Sequence, residues 1–272
     1  MTHAKETVAI CEQGFYTAPS GNVVRIAGDV KRAREGTVLY SPENPPTATQ
    51  LPREGRTAIS VANETAFEAI RRLTAEGGHV ACLNFASAKN PGGGFLNGAQ
   101  AQEEALARAS ALYPCLLMAP GYYERNRKNN SCIYLDLAIF SPWVPFFRDD
   151  EGALLVEPVM ASVITAPAPN AGAVSQNEPR NLPLVEPALK RRAHLVLQIA
   201  QAHGVEKLVL GAWGCGVFRN DPRMVAAVFA ELLGKGGEFE RAFAKVAFAV
   251  FDSSENLETY RAFASALETT NV

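Results

Sequence analysis

His79-Val80-Ala81-Cys82-Leu83-Asn84-Phe85, followed by Ala86-Ser87-Ala88-Lys89-Asn90-Pro91-Gly92-Gly93-Gly94, is the stretch on which the fold class turns. Its first seven residues are apolar almost throughout, the pattern of a strand buried on both faces. Three glycines in a row then interrupt it. With no Cβ in the way, their backbone N–H groups can approach an anion closely. Gln102-Glu103-Glu104 lies eight residues past the last glycine and opens a helix, whose positive N-terminal end adds to the loop. Strand, glycine loop and helix in succession suit a phosphate-binding turn of an α/β sheet, with a flexible turn as the plainer alternative. Neither GxGxxG nor GxxxxGK[ST] occurs, so dinucleotide-fold and P-loop readings fail on pattern.

The same unit recurs downstream. Residues 207–210 read as a strand, Gly211-Ala212-Trp213-Gly214-Cys215-Gly216-Val217-Phe218-Arg219-Asn220 as a second glycine-rich loop, and Asp221-Pro222 as the start of a helix that stops at Gly234. Upstream, Asn63 is the expected cap of a helix running to about Glu76, with Phe67, Ile70 and Leu73 on one face and Gly77-Gly78 as its stop. Glu186-Pro187 opens another helix that ends at His203-Gly204. Residues 131–139, 159–165 and 246–251 are further strand candidates. This alternation gives the fold class, α/β, with a mixed sheet sandwiched between helices. In such sheets ligands bind at loops beyond the strand carboxyl ends, where both glycine loops fall. Residues 1–56 differ: Pro19-Ser20-Gly21, Pro42, Pro45-Pro46 and Pro52 break up short apolar runs such as Val23-Val24-Arg25-Ile26. They read as an N-terminal extension or cap on a domain of residues 57–272.

Bulk properties narrow the chemistry. The 272 residues are 47% hydrophobic and 20% charged, with a formal net charge of -2. No global field attracts nucleic acid, so direct DNA binding is not expected, and a polyanion is better bound by its end than along its length. Cys11, Cys82, Cys115, Cys132 and Cys215 form no CxxC pair, and His3, His79, His194 and His203 show no ligand spacing with them. A disulfide framework and a metal site are therefore not expected. Residues 1–10 lack an apolar signal core, and no run approaches a membrane span. A cytoplasmic monomer without cofactor is the expectation.

Adjacent carboxylates in a helix's first turn already suit its dipole, and for an isolated pair that suffices. Here the pair stands at the mouth of a loop built for phosphate, where a nearby anion raises a carboxyl's pKa as a general acid requires. In the second loop Phe218 can pack on a sugar or base or simply fill local space, Arg219 reads as solvated, and Cys215 reads as a small buried thiol without a histidine to activate it.

Gly92-Gly93-Gly94, seven intervening residues and Gln102-Glu103-Glu104 resemble the signature of poly(ADP-ribose) glycohydrolases. Residues 84–91 and the 211–220 loop are similar to the short bacterial type. The resemblance covers about residues 57–255, and the N-terminal segment matches only in length and character. It implies a macrodomain that binds ADP-ribose and cuts the ribose–ribose bonds of poly(ADP-ribose), from chain ends. It further implies Glu104 as catalytic acid/base and Glu103 as the carboxylate orienting the ribose. Gln102 would fix the loop and the pair through its amide, with Gly92, Gly93 and Gly94 against the distal ribose and diphosphate. Gly214, Cys215, Gly216, Val217 and Phe218 would form the diphosphate loop, and Asn90 or Asn84 would meet the distal ribose hydroxyls. Thr165-Ala166-Pro167-Ala168-Pro169-Asn170 also resembles a recurring family segment. Partners would be the polymer, ADP-ribose and ADP-ribosylated proteins. A non-hydrolysing reader of ADP-ribose, a hydrolase of mono-ADP-ribosylated proteins and a regulatory protein binding another diphosphate are the competing readings. The intact Gln-Glu-Glu counts against the reader.

Overall fold

A computed structural model of the chain describes residues 2–47 and 53–268, so Met1 and the turn former Pro52 lie outside the described residues. Helix α1 (Thr2–Gln13) leads into the short hairpin of β1 (Phe15–Thr17) and β2 (Val23–Arg25), then helix α2 (Ala27–Glu35) and strand β3 (Val38–Tyr40). Strand β4 (Ala58–Ala62), helix α3 (Ala66–Ala75) and strand β5 (Val80–Phe85) precede three helices, α4 (Gln102–Ala109), α5 (Leu112–Leu116) and α6 (Pro120–Lys128). The antiparallel strands β6 (Ala138–Arg148) and β7 (Leu154–Ala166) come next, then helices α7 (Ala171–Asn177) and α8 (Val185–Ala202). Strand β8 (Lys207–Gly211), helix α9 (Pro222–Leu233), strand β9 (Lys245–Ala249) and helix α10 (Glu258–Glu268) follow.

Strands β3 to β9 form one mixed sheet in the order β3-β6-β7-β5-β8-β9-β4. From β7 to β4 every neighbouring pair is parallel, while β6 runs antiparallel to both β7 and β3. Alternation along β5 assigns side chains to the two faces. Val80 and Cys82 join the core that includes Phe67, Ile70 and Leu73 of α3, with Leu106 of α4. Ala81 and Leu83 join the opposite core, with Leu189 of α8, Phe229 of α9 and Phe263 of α10. The sheet is thus sandwiched between helical layers, as the alternation of elements predicts.

The two glycine loops therefore leave the sheet in opposite directions. After β5 the chain passes to the face carrying α4, and after β8 to the face carrying α9. A crevice opens between neighbouring strands whose connections diverge, and this is where open α/β sheets bind ligands. The β5–β8 ladder stops at Cys82 opposite Val209. Beyond it, the Gln102 amide occupies the vacated edge of β5, accepting from the Phe85 N–H (2.9 Å) and donating to the Leu83 carbonyl (2.8 Å). One side chain thus stands in for a strand peptide and fixes the start of α4 to the end of β5.

Three expectations are corrected. Thr65, not Asn63, caps α3: its hydroxyl accepts from the Glu68 N–H, and the Glu68 carboxylate accepts from the Thr65 N–H, a capping box. Asn63 instead exchanges two hydrogen bonds with the backbone of Asp252. The strand expected over 131–139 starts only at Ala138, because side chains satisfy the preceding backbone. Glu178 accepts from the Cys132 N–H, Asn126 accepts from the Leu135 N–H, and Arg192 donates to the Ile133 carbonyl. The strand expected over 246–251 ends at Ala249, leaving Phe251 exposed.

Residues ahead of β4 share the main core. Ile10, Tyr16, Ile26, Val30 and Ala33 belong to the same cluster as α3 and α4, and β3 is an edge strand of the sheet.

Candidate active site

At the end of β5 the glycine loop closes on the protein's own carboxylates. The Ser87 N–H donates to Glu103 Oε2 (2.6 Å), and Asn84 Nδ2 lies 3.3 Å from Glu103 Oε1. The Gly94 N–H donates to Glu104 Oε1 (2.8 Å). Gly93 sits at φ 59°, and a Cβ there would overlap Glu104 Oε1, so any other residue would push the Glu104 carboxylate aside. The triplet wraps the first turn of α4, where Gly94 bonds Glu104. Glu103 is 3% exposed and Glu104 8%. Burial pushes the Glu103 carboxyl up to about 8, against the pull of the Ser87 and Asn84 donors. Glu104 Oε2 is buried and meets no donor in the protein among the described residues.

Asn84 is buried on the α4 face of β5, where its Nδ2 also donates to Thr165 Oγ1 (3.1 Å) at the end of β7. It lies beneath Glu103 as a support. Asn90 is exposed on the loop, its N–H on Ser87 Oγ and its carbonyl accepting from Gly93. Gln102 is bonded to β5 and not to the loop, whose position it sets only through α4.

The second loop has a different character. Fully buried Trp213 anchors its base, donating from Nε1 to the Ala166 carbonyl (3.1 Å). Gly214 then turns at φ 72°, where a Cβ would strike both Asn220 and Ala168. Asn220 is buried and closes the loop, its Nδ2 donating to the carbonyls of Pro169 (2.8 Å) and Gly214 (3.1 Å). Among the described residues, the N–H groups of Gly214, Gly216, Val217 and Phe218 donate to no protein acceptor. The Cys215 N–H is spent on the Ala212 carbonyl. A run of free N–H groups ahead of a helix N-terminus is an anion-binding concavity. Val217, 83% exposed, forms its tip, and Phe218 packs on Tyr134 at 6.0 Å between ring centroids. Burial pushes the Cys215 thiol up to about 12, which keeps it protonated and leaves it no role as a nucleophile.

The floor between the loops is built by residues that sequence reasoning did not single out. Arg192 of α8 is fully buried and donates to the carbonyls of Pro167 (2.6 Å) and Ile133 (2.5 Å) while pairing with Asp136 (3.1 Å). Asn170 caps α7 and donates its own N–H to the Cys132 carbonyl. Together these clamp residues 165–170 against the 131–137 connection. Arg192 left a trace in the sequence, since it stands on the apolar stripe between Ala188 and Val196, where a cation needs buried acceptors. Tyr122 and Tyr123, buried on α6 on the same side as Glu103, left none.

Behind the site, α1 packs Ala4 and Val8 on Phe95 and Ala107, the residues that flank the glycine loop and the glutamates. The Thr7 hydroxyl donates to the Arg108 carbonyl (2.6 Å).

A family model described as the catalytic domain of microbial-type PARG matches residues 4–149, so it takes in the N-terminal segment as well as the glutamates. A crystal structure of poly(ADP-ribose) glycohydrolase from Thermomonospora curvata is 48% identical, covering 97% of this chain and 98% of its own, with a TM-score of 0.93. The same enzyme bound to the inhibitor ADP-HPD is similar with a TM-score of 0.89 over 97% of both chains at 48% identity. Poly(ADP-ribose) glycohydrolase from Deinococcus radiodurans in complex with ADP-ribose is 49% identical, covering 90% of this chain and 99% of its own, with a TM-score of 0.83. No curated protein matches the chain.

Proposed function

As a member of the microbial-type poly(ADP-ribose) glycohydrolases, the family to which this chain belongs, it hydrolyses the ribose–ribose O-glycosidic bond of poly(ADP-ribose), and we propose that Glu104 is the acid and base of that reaction. The observation that carries the assignment is the Glu104 carboxylate itself. The Gly94 N–H holds one oxygen, while the other, Oε2, has no protein partner and is free to exchange a proton with substrate.

The bond broken joins C1″ of the terminal ribose to the 2′-oxygen of the preceding unit. Glu104 protonates that oxygen as the bond stretches and C1″ gains oxocarbenium character. The terminal diphosphate, bound by the free N–H groups of the 214–218 loop, lies near the ribose and offsets the developing positive charge. Glu104, now ionised, takes a proton from the water that attacks C1″. Glu103 orients the ribose and holds its own proton near neutral pH, which spares the pair like-charge repulsion. A scheme with two carboxylates flanking the bond fits less well, since adjacent residues in one helical turn point in different directions. Phe218 packs on the ligand from the second loop, and Asn90 reaches the distal hydroxyls.

Cleavage proceeds from chain ends, with the 1–56 extension limiting access; α1, packed behind the glycine loop, supports this. The substrate arrives on ADP-ribosylated proteins. A cytoplasmic monomer remains part of this reading, and the five free thiols suit a reducing compartment. Incubation of the purified chain with poly(ADP-ribose), followed by chromatography, tests activity and mode together. Single ADP-ribose units are expected from the earliest time point; early release of oligomers refutes the chain-end mode, and no release refutes the activity.

A further inference from the structure

We propose that Lys89 and Arg127 form an outer subsite for the diphosphate of the penultimate ADP-ribose unit, the one that leaves with the 2′-oxygen. The inference rests on the polymer-cleaving function above and extends it to the leaving group. That group has a fixed chemistry: the 2′-oxygen belongs to a ribose whose own 5′ carbon carries the next diphosphate. A dianionic group therefore lies within one sugar of the scissile bond, on the solvent side of the glutamates.

Two cations stand there. Arg127, on the last turn of α6, donates from a guanidinium nitrogen to the Lys89 carbonyl (2.6 Å), which brings both side chains to the outer edge of the glycine loop. The Lys89 and Asn90 N–H groups both approach Ser87 Oγ (3.3 and 3.1 Å), and the Ser87 N–H in turn holds Glu103. The pair of cations is therefore tied to the catalytic carboxylates through one residue. Both side chains are exposed.

Neither side chain is paired with a carboxylate, unlike three arginines nearby. Arg125 on the same helix is taken up by Glu43, and Arg191 and Arg192 by Asp136. Among the described residues neither Lys89 nor Arg127 has a carboxylate within 4.0 Å. Glu178, which together with Lys89 borders Cys132, is engaged by Ser131, Cys132 and Asn181. Two cations without a carboxylate partner beside a site for a polyanion matter more in a chain of net charge -2, which offers the polymer no long-range attraction.

Binding is measured on the Glu104→Gln protein, so that polymer survives, with Lys89→Gln and Arg127→Gln added together. Affinities for poly(ADP-ribose) and for free ADP-ribose are read at several salt concentrations. Polymer affinity is expected to fall about tenfold at low salt, and the slope of its logarithm against log salt to flatten by roughly one. ADP-ribose affinity stays within about twofold, which also shows that the fold is intact. Arg127→Lys, which keeps the charge but loses the fork, is expected to retain most polymer affinity; if it loses as much as the double variant, the role is structural and the subsite is wrong. Unchanged polymer affinity in the double variant, or an equal loss for ADP-ribose, overturns the proposal. A Glu104→Gln protein that binds neither ligand before the rim is altered overturns the function itself.

Discussion

Glu103 and Glu104 are neighbours in the chain and receive opposite treatment. Glu103 is covered from two sides, by the Asn84 amide below and the Ser87 N–H beside it, and burial lifts its carboxyl to about 8. Glu104 has one oxygen on the Gly94 N–H and one on nothing. A carboxyl whose folded pKa lies above its ordinary 4.5 binds more protons folded than unfolded between those two values. Its contribution to stability is therefore lost progressively as pH rises from 4.5 through about 8, and levels off above. Thermal midpoints measured from pH 5 to 9 are expected to decline for the wild type and to decline less for Glu103→Gln. Parallel declines would mean that Glu103 ionises freely in the folded protein. The pair itself was legible, because Gln102-Glu103-Glu104 follows a glycine triplet at short range. Its supports were not, since Asn84 and Ser87 belong to the preceding strand and loop and carry no mark of facing α4.

At the scale of elements, what was legible depended on where each element satisfies its backbone. Helices α8 and α9 carry their own signals, Pro near the start of each and Gly beyond the end, and they lie where those signals put them. Strand β6 hid behind Pro142 and Pro145, residues that argue against an interior strand. It accommodates them at the edge of a register shift between Ser141 and Val144. The 131–137 connection read as strand because its apolar residues alternate suitably, yet its backbone bonds go to Glu178, Asn126 and Arg192. Arg192 is the member of this set with the most to lose. Replacing it with Leu would leave the Asp136 carboxylate with Arg191 alone and two buried carbonyls without donors. A loss of about 3–5 kcal/mol in denaturant unfolding is expected; a loss under about 1 kcal/mol would show that water replaces the guanidinium without penalty.

For the whole molecule, the sheet does one thing that no single element does. It sends the connections of β5 and β8 to opposite faces, so that a loop wrapped around carboxylates and a loop of free N–H groups leave adjacent strands at the same end of the sheet. The N-terminal residues share the core of that assembly and back its glycine loop, which is why a family model beginning at residue 4 spans both. From sequence they read as a cap on the main domain, because their apolar runs are short. The space between these loops is the proposed ADP-ribose site, with Glu104 performing the chemistry there. The most direct measurement pairs the hydrolysis rate on poly(ADP-ribose) with ADP-ribose affinity for the wild type and Glu104→Gln. A rate lower by about 10²–10⁴ with affinity unchanged within a few-fold is expected. A variant that retains most of the rate would remove Glu104 from the reaction.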